Sequence, residues 1–312
     1  MKKSVQLPLV QALSWILGSM IIVSVSAHLG LKSYFAKKQL CARSAQYAIS
    51  TIVQTGPQKE ALKTSYLAEL LKLSANRSPS SLTFNLKAAE SALLASPLIS
   101  QAQVKLIQPN ALYIDYKIRQ PVAWLYDYQN TALDKLGHPI PFSPFFSPKN
   151  LPEIYLGLAE FAAPSEELDR PTANWGKPLE GKYVELSFSL LRLLDDPQIR
   201  DVFQVKRIDV SNAFAESYGT REIVLIVEDT IVCQKGDKEY HFIFPKILRL
   251  STKNYAQELG NYLKLRQQLI AKESQEVQKT PLNQLTSPIR KKEKIIDFRI
   301  ENLAFIDEQT PK

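Results

Sequence analysis

Residues 4–31, between Lys3 and Lys32, hold no Asp, Glu, Lys or Arg, and no other stretch of the 312-residue chain resembles them. As a helix rising about 1.5 Å per residue, such a run outlasts a hydrocarbon core of about 30 Å. It predicts one membrane-facing helix at the start and leaves the charged remainder to fold in water. Trp15 falls inside the run and Tyr34 just after it, where aromatic rings settle at headgroup level. Two fates fit the run: a retained anchor, or a signal peptide cut after Val25, Ser26 and Ala27. Signal peptides usually carry an apolar core of about 7–15 residues, which favours the anchor. Lys2 and Lys3 are outnumbered by Lys32, Lys37, Lys38 and Arg43 on the other side, so the positive-inside count does not favour a cytoplasmic N-terminus. The very short head and the large body instead predict a single-pass type II protein, with its bulk extracytoplasmic.

With 39 basic and 31 acidic residues the chain is net +8. A basic domain beside a membrane suits anionic headgroups or acidic partners, and Lys32, Lys37 and Lys38 are placed for lipid. The cations are dispersed and no nucleic-acid motif occurs, so nucleic acid is not an expected partner. The cluster Arg290-Lys291-Lys292-Glu293-Lys294 reads as a solvated loop. Two cysteines, Cys41 and Cys233, exclude a disulfide framework and read as ordinary thiols.

Residues 32–45 read as a polar stalk. A strand over 47–54 ends at Gly56-Pro57. A helix follows over 64–73, with Thr64 able to cap it and Leu67, Leu70 and Leu71 on one face. Asn85 opens a second helix through Ala95, stopped by Ser96-Pro97. The clearest pattern comes next. Val104 and Leu106 alternate with polar neighbours, Pro109-Asn110 makes a turn, and Leu112, Ile114, Tyr116 and Ile118 share one face. Tyr113, Asp115, Lys117 and Arg119 share the other. The result is a strand–helix–helix–strand–strand unit over 46–121.

Residues 122–306 predict a β-rich domain with packed helices. Strand-like runs cover 122–128, 151–156, 205–210, 223–232 and 240–244. Leu186, Leu190, Leu193 and Leu194 mark one helix, ended near Pro197. Tyr255, Leu259, Tyr262, Leu263 and Leu269 mark another. A turn is expected at Leu136-Gly137-His138-Pro139, loops over 159–182 and 271–294, and two short closing strands around Glu301-Asn302. The fold class is α+β.

Catalytic constellations do not emerge. His28, His138 and His241 have no metal-ligand spacing, and with ten glycines there is no P-loop, nucleophile elbow or dinucleotide turn. Asp195-Asp196 before Pro197 reads as a helix terminus. No enzyme activity, cofactor or metal is expected, and a non-catalytic protein works through its surfaces.

The segment "PNALYIDYKIRQPVAWL" resembles the hairpin signature of the FtsQ/DivIB family of bacterial cell-division proteins. "AAESALLASPLISQAQVKL" is similar to the helix and strand that lead into it, and "IIDFRIENLAFI" to the family's C-terminal close. The resemblance spans nearly the whole chain, with 159–182 and 271–294 matching less well. It implies a short cytoplasmic head (1–6), a transmembrane helix (7–31), a stalk (32–45), a POTRA domain (46–121), an FtsQ-type β domain (122–306) and a tail (307–312). It further implies a non-enzymatic divisome scaffold at the septal inner membrane. Division proteins of the FtsB and FtsL type would bind by β-strand addition at Ile296, Phe298 and Ile300 on one strand and Leu303 and Phe305 on the next. Other divisome members would be recruited through the POTRA domain. For Ile296 and Phe298 the residues themselves favour simple core packing, and Asp297 with Arg299 a structural ion pair. The alternative is a POTRA-type adaptor of envelope protein secretion or assembly.

Overall fold

The computed structural model describes residues 6–42, 45–57, 59–74, 78–158, 177–235, 238–279, 288–301 and 303–308. Its architecture is mixed α+β: one apolar N-terminal helix and a large sheet-rich body. Helix α1 (Gln6–Ala42) contains a stretch, Leu13–Lys37, long and apolar enough to cross a membrane, and none of the described residues covers it. The stalk expected after residue 31 is a continuation of this helix through Ala42, because no Pro and no Gly after Gly30 interrupts a run of good helix formers.

The chain divides into two compact units. The first comprises residues 1–95 and 99–117, the second 96–98 and 118–312. In the first, β1 (Thr51–Thr55), α2 (Thr64–Leu70), α3 (Leu86–Leu94), β2 (Ile99–Ile107) and β3 (Ala111–Ile118) follow in order. The three strands form one sheet, β1-β3-β2, with β1 parallel to the central β3. The alternating face of β3 is buried as its pattern predicts: Leu112, Ile114, Tyr116 and Ile118 lie inside. Asn85 caps α3, its Oδ1 accepting from the Ala88 N–H at 3.1 Å. Thr64 does not cap α2. It is the first helical residue, and Lys63 holds the cap position without a side-chain bond. Strand β1 starts at Thr51 rather than 47, because residues 45–47 form a 3-10 turn and Ala48 bridges to Ser80. Gly56 is required where it stands: a Cβ there would lie 2.6 Å from the Tyr116 ring, whose hydroxyl accepts from the Leu62 N–H at 2.8 Å.

The second unit is built on a ten-stranded sheet. Its strands are β4 (Pro121–Leu125), β5 (Thr131–Asp134), β6 (Pro139–Pro141), β7 (Glu153–Tyr155), β8 (Gln204–Asp209), β9 (Ile223–Lys235), β10 (Lys238–Leu250), β11 (Ile289–Arg290), β12 (Lys294–Asp297) and β13 (Phe305–Glu308). They lie in the order β13-β12-β10-β9-β8-β7-β4-β5-β6, with β11 also on β10. Helices α4 (Lys182–Leu194) and α6 (Tyr255–Lys279) contribute Leu190, Leu194, Leu259, Tyr262 and Leu269 to the core that the sheet's inner face completes. The short α5 (Pro197–Arg200) begins at Asp196, whose carboxylate accepts from the Gln198 N–H, so Asp195-Asp196 is a helix junction.

Three expectations are corrected here. Strand β10 does not stop at Phe244. It continues through Pro245, which falls between the β11 pairing at Phe242 and Ile243 and the β12 pairing that starts at Lys246. Residues 271–279 are not a loop but the last turns of α6, because Glu273 and Val277 are buried against the sheet. The cluster 290–294 is not a solvated loop: Arg290 pairs with Glu228, Lys291 donates its backbone N–H to Ile243, and Lys294 opens β12. The turn expected at 136–139 is present, and it joins two further strands, β5 and β6. Of the loops expected over 159–182 and 271–294, residues 159–176 and 280–287 lie outside the described residues.

The turn after β5 is organised by one carboxylate. Asp134 Oδ1 accepts from the backbone N–H groups of Leu136 and His138 at 2.8 and 2.9 Å, and Oδ2 from Arg119 at 2.8 Å. Burial pushes its pKa up. The backbone N–H of His138, the Arg119 guanidinium, the Leu136 N–H and the His138 charge together outweigh that and hold it below the ordinary aspartate value. Gly137 supplies the left-handed residue, at φ +80°.

Candidate partner-binding edge

The last two strands place the residues expected to bind a partner. Strand β12 pairs in parallel with β10 and antiparallel with β13, beyond which no strand lies among the described residues. Edge strands present unpaired N–H and C=O groups, the template for adding a strand. Ile296 faces Ile306 across the pair, and Asp297 faces Phe305.

The five residues separate into two groups. Ile296 is fully buried and Phe298 is 3 % exposed, both within the main core, where the Phe298 ring meets Tyr262 edge-on at 6.3 Å. Neither is available to a partner. Ile300, Leu303 and Phe305 are 64, 54 and 63 % exposed. The period-two strand expected to run through Ile300 ends at Asp297, and Leu303 precedes β13 rather than belonging to it. The cause is a turn between the strands, in which the Leu303 N–H bonds the Ile300 carbonyl at 3.1 Å. Ile306, partly exposed, joins the group, and because it pairs with buried Ile296 it lies on the opposite face of β13 from Phe305.

An ion cluster fixes the approach to this turn. Asp297 accepts from Arg299 Nε and from a terminal guanidinium nitrogen at 2.7–3.1 Å, and its backbone partner is the Arg299 N–H at 3.0 Å. Arg249 reaches Glu222 at 2.6 Å and Asp297 at 3.4 Å, and Arg299 reaches Glu222 at 3.4 Å. Burial raises the Asp297 pKa, but bonds from Arg299 and the charges of Arg299 and Arg249 overcome it and hold the carboxyl below its ordinary value. Asp297 and Arg299 thus form the structural ion pair expected of them.

Beside the turn lies a cleft of about 490 Å³ whose lining includes Tyr218, Arg221, Lys253, Arg299 and Ile300. Tyr218 is exposed and carries the Arg221 guanidinium 4.0 Å above its ring. Neither residue was singled out from the sequence: both sit between strands, where no periodicity marks a surface. Among the described residues, no group of three or more His, Cys, Asp or Glu is placed to hold a metal ion.

In comparison with known proteins, no protein-family model and no curated protein matches the chain.

Proposed function

We propose that this chain is a membrane-anchored, non-catalytic scaffold of the FtsQ/DivIB type, which recruits a partner strand at the free edge of β13. The carrying observation is that edge itself: a strand with no outer neighbour among the described residues, beside exposed Ile300, Leu303 and Phe305. Three further features support the reading. The β1–α2–α3–β2–β3 order of the first unit is the order that the resemblance assigns to a POTRA domain. The apolar helix α1 precedes it, as a type II anchor in the inner membrane would. The proposed partners are division proteins of the FtsB and FtsL type, with further divisome members at the POTRA domain and lipid at the juxtamembrane lysines.

The test is co-purification of the full-length, detergent-solubilised protein with FtsB- and FtsL-type partners, wild type against Ala304→Pro and Phe305→Ala. Proline at 304 deforms the entry to β13 and should abolish capture, and loss of the Phe305 ring should weaken it at least tenfold. Undiminished capture by Ala304→Pro sinks the edge assignment. In dividing cells, a fluorescent fusion should form a band at the septum and depletion should block division. Uniform envelope signal with normal division would sink the scaffold reading as a whole.

A further inference from the structure

The helix-facing side of the β9–β10 hairpin alternates between apolar and charged ground. Ile223, Leu225 and Val227 on β9, with Leu248 and Leu250 on β10, belong to the main core. Further out, Phe242 and Phe244 form a second, separate cluster with Val277 of α6, flanked by Ile231, Cys233, Tyr240 and Ile289. Between the two lies a layer of charge. Lys246, fully buried, reaches Asp229 at 2.7 Å and Glu273 at 3.0 Å. Arg266 reaches Asp229 at 2.6 Å, and Lys294 approaches Glu273 at 3.7 Å. The Tyr262 hydroxyl donates to Asp229 at 3.5 Å. Helix α6 crosses all three zones, with Leu259, Tyr262 and Leu269 in the main core, Arg266 and Glu273 in the layer, and Val277 beyond it.

Such a layer is a weak seam. Apolar groups resist exposure to water, whereas ions recover their hydration when water reaches them, so a buried charge layer opens at less cost than the clusters on either side. This one is incompletely satisfied: among the described residues, buried Glu273 Oε1 makes no hydrogen bond and faces only the Lys294 ammonium at 3.7 Å. The outer cluster is also small. It has three buried residues, and the strand ends around it expose Val232, Gln234, Glu239 and His241.

We propose that the outer ends of β9 and β10, the last turns of α6 and strand β11 open together as one unit while the rest of the sheet stays folded, parting at the Asp229–Lys246–Glu273–Arg266 layer. Among the described residues the unit comprises 231–235, 238–244, 274–279 and 289–290. This goes beyond the scaffold reading and is independent of it. Strand β12 pairs with β10 only from Lys246 inward, so the β12–β13 edge lies on the side that stays closed. Sub-global openings of this kind are a normal feature of native proteins and show as shared exchange rates.

The test is hydrogen exchange read by mass spectrometry on the full-length protein in detergent. Peptides covering 231–244 and 274–279 should exchange at one common rate, at least 100-fold faster than peptides covering 223–228 and 246–250. Val277→Ala should accelerate the outer peptides at least tenfold and leave the inner ones, and capture of the FtsB- and FtsL-type partners, unchanged. Outer and inner peptides exchanging at one global rate would overturn the proposal, as would a Val277→Ala effect shared by both. Outer peptides that exchange fast but at unrelated rates would also overturn it, since that is fraying and not a unit.

Discussion

Asp134 and Glu273 are both buried carboxylates facing cations, in the turn after β5 and in the layer beneath α6. Their acidities move in opposite directions. Asp134 sits where a turn delivers two backbone N–H groups as well as Arg119, and its pKa falls. Among the described residues, the cations that reach Glu273 are the ammonium groups of Lys246 and Lys294. Burial dominates, the Lys246 and Lys294 charges offset part of it, Asp229 adds to it, and the pKa rises. The contrast teaches that a short-range backbone cradle holds a negative charge better than long side chains brought together across a sheet. A turn fixes its donors in advance, whereas ion pairing across the sheet must repay the desolvation of both partners.

The strongest way to break the comparison is Lys246→Ala. It strands Asp229 and Glu273 without their shared ammonium, and should cost about 3–5 kcal/mol in denaturant unfolding. Asp134→Ala comes next, at about 3 kcal/mol, because Arg119 keeps its burial but loses its carboxylate. A loss under about 1 kcal/mol from either variant would show that the cluster is not held as described.

The pH dependence sharpens the contrast. For Glu273 the folded pKa is raised, so between its ordinary and raised values the native state holds a proton that the unfolded chain has released. Its contribution therefore diminishes as pH rises through that window. For Asp134 and Asp297 the folded pKa is depressed. The stability they add is present above the ordinary aspartate value and is lost as pH falls through the depressed one. Urea titrations across pH should find that Glu273→Gln removes a decline on the neutral side and Asp134→Asn removes one on the acid side. Identical pH profiles for the two variants would contradict the assignment. The smallest effect is expected at Arg200, whose contacts with Asp195 and Asp201 are more than half exposed. Arg200→Ala should change stability by less than about 0.5 kcal/mol, and a larger change would mean that burial is not what separates these sites.

The same distinction governs what could be read in the sequence. Strand β3 was legible because one face is buried and the other is wet, so its period of two survives in the residue types. Asn85 was legible because a cap is a local device. The outer half of α6 was not, because "AKESQEVQK" puts a glutamate where a core residue is expected, and only Lys246, remote in sequence, makes that burial tolerable. Pro245 hid the continuation of β10, since whether a proline breaks a strand depends on the neighbours it is denied. At the candidate edge, the alternation of residue types from Ile296 to Ile300 was real, but the turn that separates core from surface after Asp297 depends on Arg249 and Glu222, which lie far away in the chain.

Strand β12 runs parallel to its neighbour β10, and a parallel neighbour can be reached only by a long crossover, supplied here by α6. During synthesis the β9–β10 hairpin can therefore close as soon as its own residues are made, while β12 and β13 must wait until α6 has been translated and docked. The edge proposed here to recruit a partner thus forms after α6. Under the scaffold proposal, binding at β13 would therefore report that α6 has already docked on the sheet.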